Sequence, residues 1–171
     1  MSYSLNLQDY VSFDIQASPT EILVPDGLSF CWMLNGRAMA FVAINATRQV
    51  VDSWLDKMDE LRRSWNSNDP VFMLNSFAAP DCVVTPYSRR RITETLQRAL
   101  YIRTYSCTII GRSAMSMPVV LLSNAINTFW HSQYKNYVNM VFYSHDEGVR
   151  WIQRRIAENE SVHNQTSTQA P

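Results

Sequence analysis

Apolar residues in this chain alternate between two patterns: short unbroken runs, and longer segments in which they recur every three or four positions. The longer segments repeatedly open on Ser, Thr or Asn. The first pattern is that of strands and the second that of helices buried along one side. Residues 12–17 and 21–24 read as short extended pieces broken by Ser18-Pro19-Thr20. Leu28–Leu34 and Arg37–Ile44 flank Asn35-Gly36, which predicts a hairpin closed by a type I′ turn, because both central positions must take positive φ. Over residues 47–65, Val50, Val51, Trp54, Leu55, Met58, Leu61 and Trp65 form one helical face, leaving Asp52, Asp56, Asp59, Arg62 and Arg63 for solvent.

Val71–Leu74 follows without polar alternation, as expected of a central parallel strand covered on both faces. Residues 75–84 read as a loop. Thr85-Pro86 then starts a second helix, whose inner side is Ile92, Leu96, Ala99 and Leu100. Tyr105–Ile110, closed by Gly111, predicts another strand, and Ser116-Met117-Pro118 opens a third helix through Val119, Leu122, Ala125, Ile126 and Phe129. Val120, Leu121 and Trp130 spill beyond one stripe, so that helix is either deeply buried or uses a second face for a partner. Met140, Val141 and Phe142 end the last strand. Ser144-His145-Asp146-Glu147 is a capping-box start to a final helix with Val149, Ile152 and Ile156 inward.

Strands alternating with helices after a hairpin predict an α/β domain: a single mixed sheet, its N-terminal antiparallel hairpin joined to parallel strands, with helices packed over it. Residues 1–11 form a polar leader and 12–158 the domain. Ser, Asn, Gln and Thr dominate 159–171, which reads as a disordered tail.

With 171 residues, 46% hydrophobic and 18% charged, the chain can bury one ample core. Its formal net charge of zero steers it toward neither nucleic acid nor an anionic membrane. Lys57 and Lys135 are the only lysines, a bias of composition rather than a role for each arginine. No run approaches the ~20 apolar residues of a membrane span, and no basic, apolar leader precedes residue 10, so a cytoplasmic location is expected. Cys31, Cys82 and Cys107 lack the close spacing of zinc or redox pairs and read as free thiols. His131, His145 and His163 have no neighbours at metal-ligand spacing, and Gly27, Gly36, Gly111 and Gly148 are isolated, so neither a metal site nor a phosphate-cradling loop is expected. No cofactor and no enzymatic chemistry are read from the chain.

A location remains. Loops at the carboxyl ends of parallel strands gather on one rim, beside helix N-termini whose free N–H groups favour anions. Here that rim collects Asn45, Thr47, Ser76, Asp81, Thr85, Ser88, Arg112, Ser113, Ser116, Ser144 and His145. Arg112 is the leading anion contact. As caps alone, each hydroxyl would contribute about 1 kcal/mol to its helix. Arg89-Arg90-Arg91, with only Tyr87 nearby, splays around the helix like a solvated face, although cations at a helix N-terminus are locally unfavourable.

The hairpin, the long first helix, Val71–Leu74, Thr85-Pro86-Tyr87, the Tyr105–Gly111 strand and the terminal Val141-Phe142-Tyr143-Ser144-His145-Asp146-Glu147-Gly148-Val149-Arg150-Trp151 together resemble the STAS fold over residues 12–158. The ending is similar to that of a bacterial branch of STAS-like proteins. The resemblance implies a signalling module like the anti-sigma-factor antagonists, which bind a kinase partner and are switched by phosphorylation of a Ser at a helix start, within Asp-Ser-x-Gly. Here Val83-Val84-Thr85-Pro86-Tyr87-Ser88 lacks the acidic residue and the glycine, and Thr85 and Ser88 hold the corresponding position. A phosphate there would meet a helix N-terminus and Arg89 or Arg91. The expected function is a non-enzymatic regulatory or protein-interaction module. Its contact surface is Thr85, Tyr87, Ser88 and Arg89 with Arg112, Ser113 and Ser144, and its partner is another protein or a second copy. The alternative is a sensor holding a small anionic or lipid-like ligand between the third helix and the sheet.

Overall fold

The computed structural model describes residues 18–65, 68–98, 102–111 and 136–167. Its elements are β1 (Glu21–Val24), β2 (Leu28–Met33), β3 (Ala38–Ala43), α1 (Arg48–Arg63), β4 (Val71–Phe77), α2 (Pro86–Arg98), β5 (Thr104–Ile110), β6 (Tyr137–Phe142) and α3 (His145–Ser167). The expected piece at 12–17, Ala99 and Leu100 of the second helix, the apolar helix from Ser116 to Trp130, and the sites at Arg112, Ser113 and Ser116 lie outside the described residues.

All six strands join one sheet in sequential order, β1 to β6. β1, β2 and β3 are antiparallel, and β3 through β6 run parallel. The fold is therefore the α/β mixed sheet expected from the alternation. The turn between β2 and β3 bears out Asn35-Gly36: both take positive φ, 56° and 79°, and the Arg37 N–H donates to the Leu34 carbonyl at 3.2 Å. Leu34 also takes positive φ, 54°, so the strands end one residue sooner than the apolar run suggests.

Each parallel step moves to the next strand in the same direction, and right-handed crossovers then place α1 and α2 on the same face. α1 is capped by Thr47, whose hydroxyl accepts from the Val50 N–H at 3.4 Å. Its Val50, Val51, Trp54, Leu55 and Met58 pack on Phe30, Met39, Phe41, Val71 and Met73. α3 follows the last strand and covers the opposite face, where Val149, Trp151, Ile152 and Ile156 meet Phe72, Leu74, Cys107 and Ile109. Gly148 lets α3 approach β5 closely: a Cβ there would stand 2.5 Å from Ile109 Cδ1 and 3.2 Å from Cys107 Sγ.

Three expectations are corrected. β4 does not stop at Leu74, because Asn75, Ser76 and Phe77 continue in register against Thr108, Ile109 and Ile110. Arg62 does not face solvent; it is only 2% exposed and turns inward at the end of α1, with Asp59 Oδ1 3.9 Å from its guanidinium. Residues 159–167 are helical rather than a disordered tail, since α3 runs to Ser167. The extension is held by Arg155 to Glu158 at 2.7 Å, by Ser161 donating to the Glu158 carbonyl at 2.8 Å, and by an ion pair from Glu160 to Arg37 in the hairpin turn.

Candidate functional site

The carboxyl ends of the parallel strands form a single rim. Asn45, just past β3, makes a parallel bridge with Asp81, in the loop past β4. The Asn45 amide donates to the Asp26 carbonyl at 3.2 Å, while its Oδ1 accepts from the Thr47 N–H, so this side chain ties the β1–β2 turn to its own loop and its backbone bridge adds the loop at Asp81. Cys82 donates its Sγ–H to the Ala43 carbonyl at 3.3 Å, and burial pushes its thiol up to about 12, with Asp81 adding to the rise. It is a neutral structural thiol rather than a nucleophile. The end of β5 closes on the same rim: a Cβ on Gly111 would stand 2.6 Å from the Ala78 carbonyl oxygen, a contact only glycine permits.

Across the rim, Ser76 at the end of β4 is hydrogen-bonded to His145 Nε2 at 2.8 Å, joining a central strand to the first residue of α3. Burial lowers the His145 pKa, against the opposing charge of Asp146. Next to it the Ser144 carbonyl accepts from the Gly148 N–H at 3.2 Å. The parallel strands thus bring Asn45, Ser76, Thr85 and Ser144 to one border, as the topology requires.

The nominated residues of α2 are engaged in its own start. The Ser88 N–H donates to Thr85 Oγ1 at 3.0 Å, and Ser88 Oγ accepts from the Thr85 N–H at 2.9 Å, which is a reciprocal capping box. Ser88 is 5% exposed, so its hydroxyl is an internal cap and not a contact surface. Tyr87 reaches α1: its hydroxyl lies 2.7 and 2.6 Å from the two carboxylate oxygens of Asp52, which also accepts from Arg91 Nε at 2.8 Å. These two hydrogen bonds hold the Asp52 carboxyl below its usual range. Arg48 lies over the Tyr87 ring at 5.0 Å from its centroid, and Arg90 at 5.8 Å. Arg91 turns inward to Asp52, Asp56 and Glu94, whereas Arg89 and Arg90 face outward.

A second polar system was not foreseen. Beneath α1, Trp54 Nε1–H donates to Asn75 Oδ1 and Asn75 Nδ2–H donates to Ser106 Oγ, each at 3.0 Å; Ser106 is in turn hydrogen-bonded to Tyr137. Burial pushes the Tyr137 phenol up, with the Ser106 hydrogen bond and the Arg62 charge opposing it. Beside this chain Thr108 Oγ1–H donates to Asn139 Oδ1 at 3.1 Å. One signal was present in the sequence: Asn75, Ser106, Thr108 and Asn139 are polar residues interrupting strand-like runs.

Among the described residues no cluster of His, Cys, Asp or Glu could hold a metal ion, and no helix is long and apolar enough to cross a membrane. Comparison with family models, curated proteins and solved structures finds no match.

Proposed function

We propose that this chain is a non-enzymatic, cytoplasmic regulatory or protein-interaction module of STAS-like fold, and that it meets its partner through the start of α2 and the adjoining rim. The observation that carries this reading is the mounting of α2. Its first turn is fixed to α1 by Tyr87, Arg91 and Asp52, and to itself by the Thr85–Ser88 box, yet Arg89 and Arg90 project outward. A rigid helix start with exposed, outward side chains suits recognition rather than turnover. Thr85, half-buried at the head of this helix, is the hydroxyl of the pair nearer the surface, and a phosphate on it would break the capping box.

A photo-crosslinking residue placed at Arg89, with Glu158 on α3 as control, tests the reading in lysate of the native host. A discrete adduct at position 89 and none at 158 supports it; equal or absent labelling at both positions ends it.

The sensor reading, in which a ligand lies between the sheet and the helix expected from Ser116, keeps one observation, the polar sheet surface of Asn75, Ser106 and Thr108. That surface suits a polar or anionic ligand better than a lipid-like one. Native mass spectrometry of the purified chain decides it through retained mass.

A further inference from the structure

We infer that the corner formed by Arg48 of α1 with Arg89 and Arg90 of α2 takes an acidic segment, rich in Asp and Glu, of a protein partner. This rests on the reading of α2 as the contact surface and names the chemistry that surface fits. Two of the guanidiniums, Arg48 from α1 and Arg90 from α2, pack against one aromatic ring, Tyr87, and Arg89 is exposed beside Arg90 at the start of α2. Arg48 and Arg89 form no salt bridge among the described residues. Arg90, 68% exposed at its side chain, reaches only Glu94 at 3.8 Å. Neither α1 nor α2 carries an acidic residue in its first turn, so the positive ends of both helices add to the guanidiniums instead of being neutralised.

The carboxylates nearby are spent or displaced. Asp52 is held by Tyr87 and Arg91. Asp56 and Glu94 pair with Arg91 further along the helices. Asp26 and Asp81 sit in the loops that meet at Asn45. Along the two helices charge is therefore segregated, with cations at the starts and anions a turn or more beyond, while Asp26 and Asp81 stay in the loops ahead of α1 and α2. Planar guanidiniums match carboxylates in a forked geometry that lysine cannot reproduce, and Tyr with Arg is the usual make-up of an energetic contact patch. Nucleic acid is the poorer fit, because a chain of net charge zero offering three guanidiniums neutralises few phosphates.

The test titrates fluorescein-labelled octaglutamate into the full chain at low salt and reads anisotropy, beside a variant carrying Arg48→Glu, Arg89→Glu and Arg90→Glu. Binding that weakens roughly tenfold or more in the variant, together with new binding of octalysine, is the expected result. A milder variant, Arg89→Gln with Arg90→Gln, weakens it less and covers the case in which the triple change unfolds the chain. Unchanged affinity in both variants overturns the inference. So does equal displacement of octaglutamate by oligothymidylate or by phosphatidylserine vesicles, which would mark a nonselective polyanion surface. A crosslink from the photo-reactive residue at position 89 that persists when Arg48→Glu and Arg90→Glu are added beside it keeps α2 as the contact surface while overturning the acidic partner, so the two readings fail separately.

Discussion

Toward α3, strand β5 presents Tyr105, Cys107 and Ile109; toward α1 and α2 the same strand presents Thr104, Ser106 and Thr108. The first face is held by aromatic and aliphatic packing, with Phe72 stacked on Tyr105 at 5.6 Å and Trp151 edge-on to it at 6.3 Å. The second changes character across the sheet, from Phe30, Met39 and Phe41 under α1 to the hydrogen-bonded chain from Trp54 through Asn75 and Ser106 to Tyr137. The difference teaches that burial alone does not decide residue type here. Apolar packing is tolerant of shape, whereas a buried polar chain holds only while every member keeps its partner.

Substitutions on the two faces sharpen this contrast. Ile152, fully buried on the α3 face, should cost about 3 kcal/mol as Ile152→Ala in urea unfolding, the usual result of deleting a packed aliphatic side chain. Asn75→Ala should cost about 2 kcal/mol, because it strands the Trp54 indole N–H and a Ser106 bond. Adding Trp54→Phe to Asn75→Ala should then cost less than Trp54→Phe does alone, a coupling of about 1 kcal/mol. Strictly additive costs would show that the chain of hydrogen bonds is not a unit.

A smaller effect comes from the polar exception on the α3 face, the Ser76–His145 bond. Since burial lowers the folded His145 pKa, the unfolded chain protonates first as pH falls through the ordinary histidine value, about 6.5. Stability is then fully present above that pH and declines below it, until the folded imidazole also charges. Unfolding midpoints measured across pH 7.5 to 5, with His145→Gln as reference, should show the decline in the parent chain and a flatter profile in the variant, about that pH range. The smallest effect is expected at Ser29, which is buried on the same face and whose hydroxyl has no hydrogen-bond partner among the described residues. Ser29→Ala should change stability by no more than about 0.5 kcal/mol, and a loss beyond that would place a hidden polar contact on the apolar side.

The turn at Asn35-Gly36, the Thr47 cap, the unbroken Val71–Leu74 run and the inward Val149, Ile152 and Ile156 were legible because each is a local signal: a φ demand, a cap or a period. What was illegible depends on distant partners. Asn75 and Ser76 look like the start of a loop until Trp54, Ser106 and His145 supply their hydrogen bonds. Arg62 falls on the polar side of the helical wheel, but its long stem carries the guanidinium inward toward Tyr137. Residues 159–167 have a linker's composition and remain helical, with Glu160 tied to Arg37 from the other end of the chain. At the rim, the gathering of the loops follows from topology and was foreseen. That Ser88 is consumed as a cap, and that Tyr87 bonds α1, could not be read from spacing.

Among the described residues β6 is the last strand of the sheet, and that position has a practical corollary. Its six residues, Tyr137-Val138-Asn139-Met140-Val141-Phe142, include neither a charge nor a proline, and Met140 with the adjoining Tyr143 is already exposed. Such a ribbon can template pairing with its own kind once partly uncovered. Preparations concentrated or warmed near the melting range should therefore lose material to fibrous precipitate before they lose helical signal, and a single lysine introduced at Met140 should delay that onset.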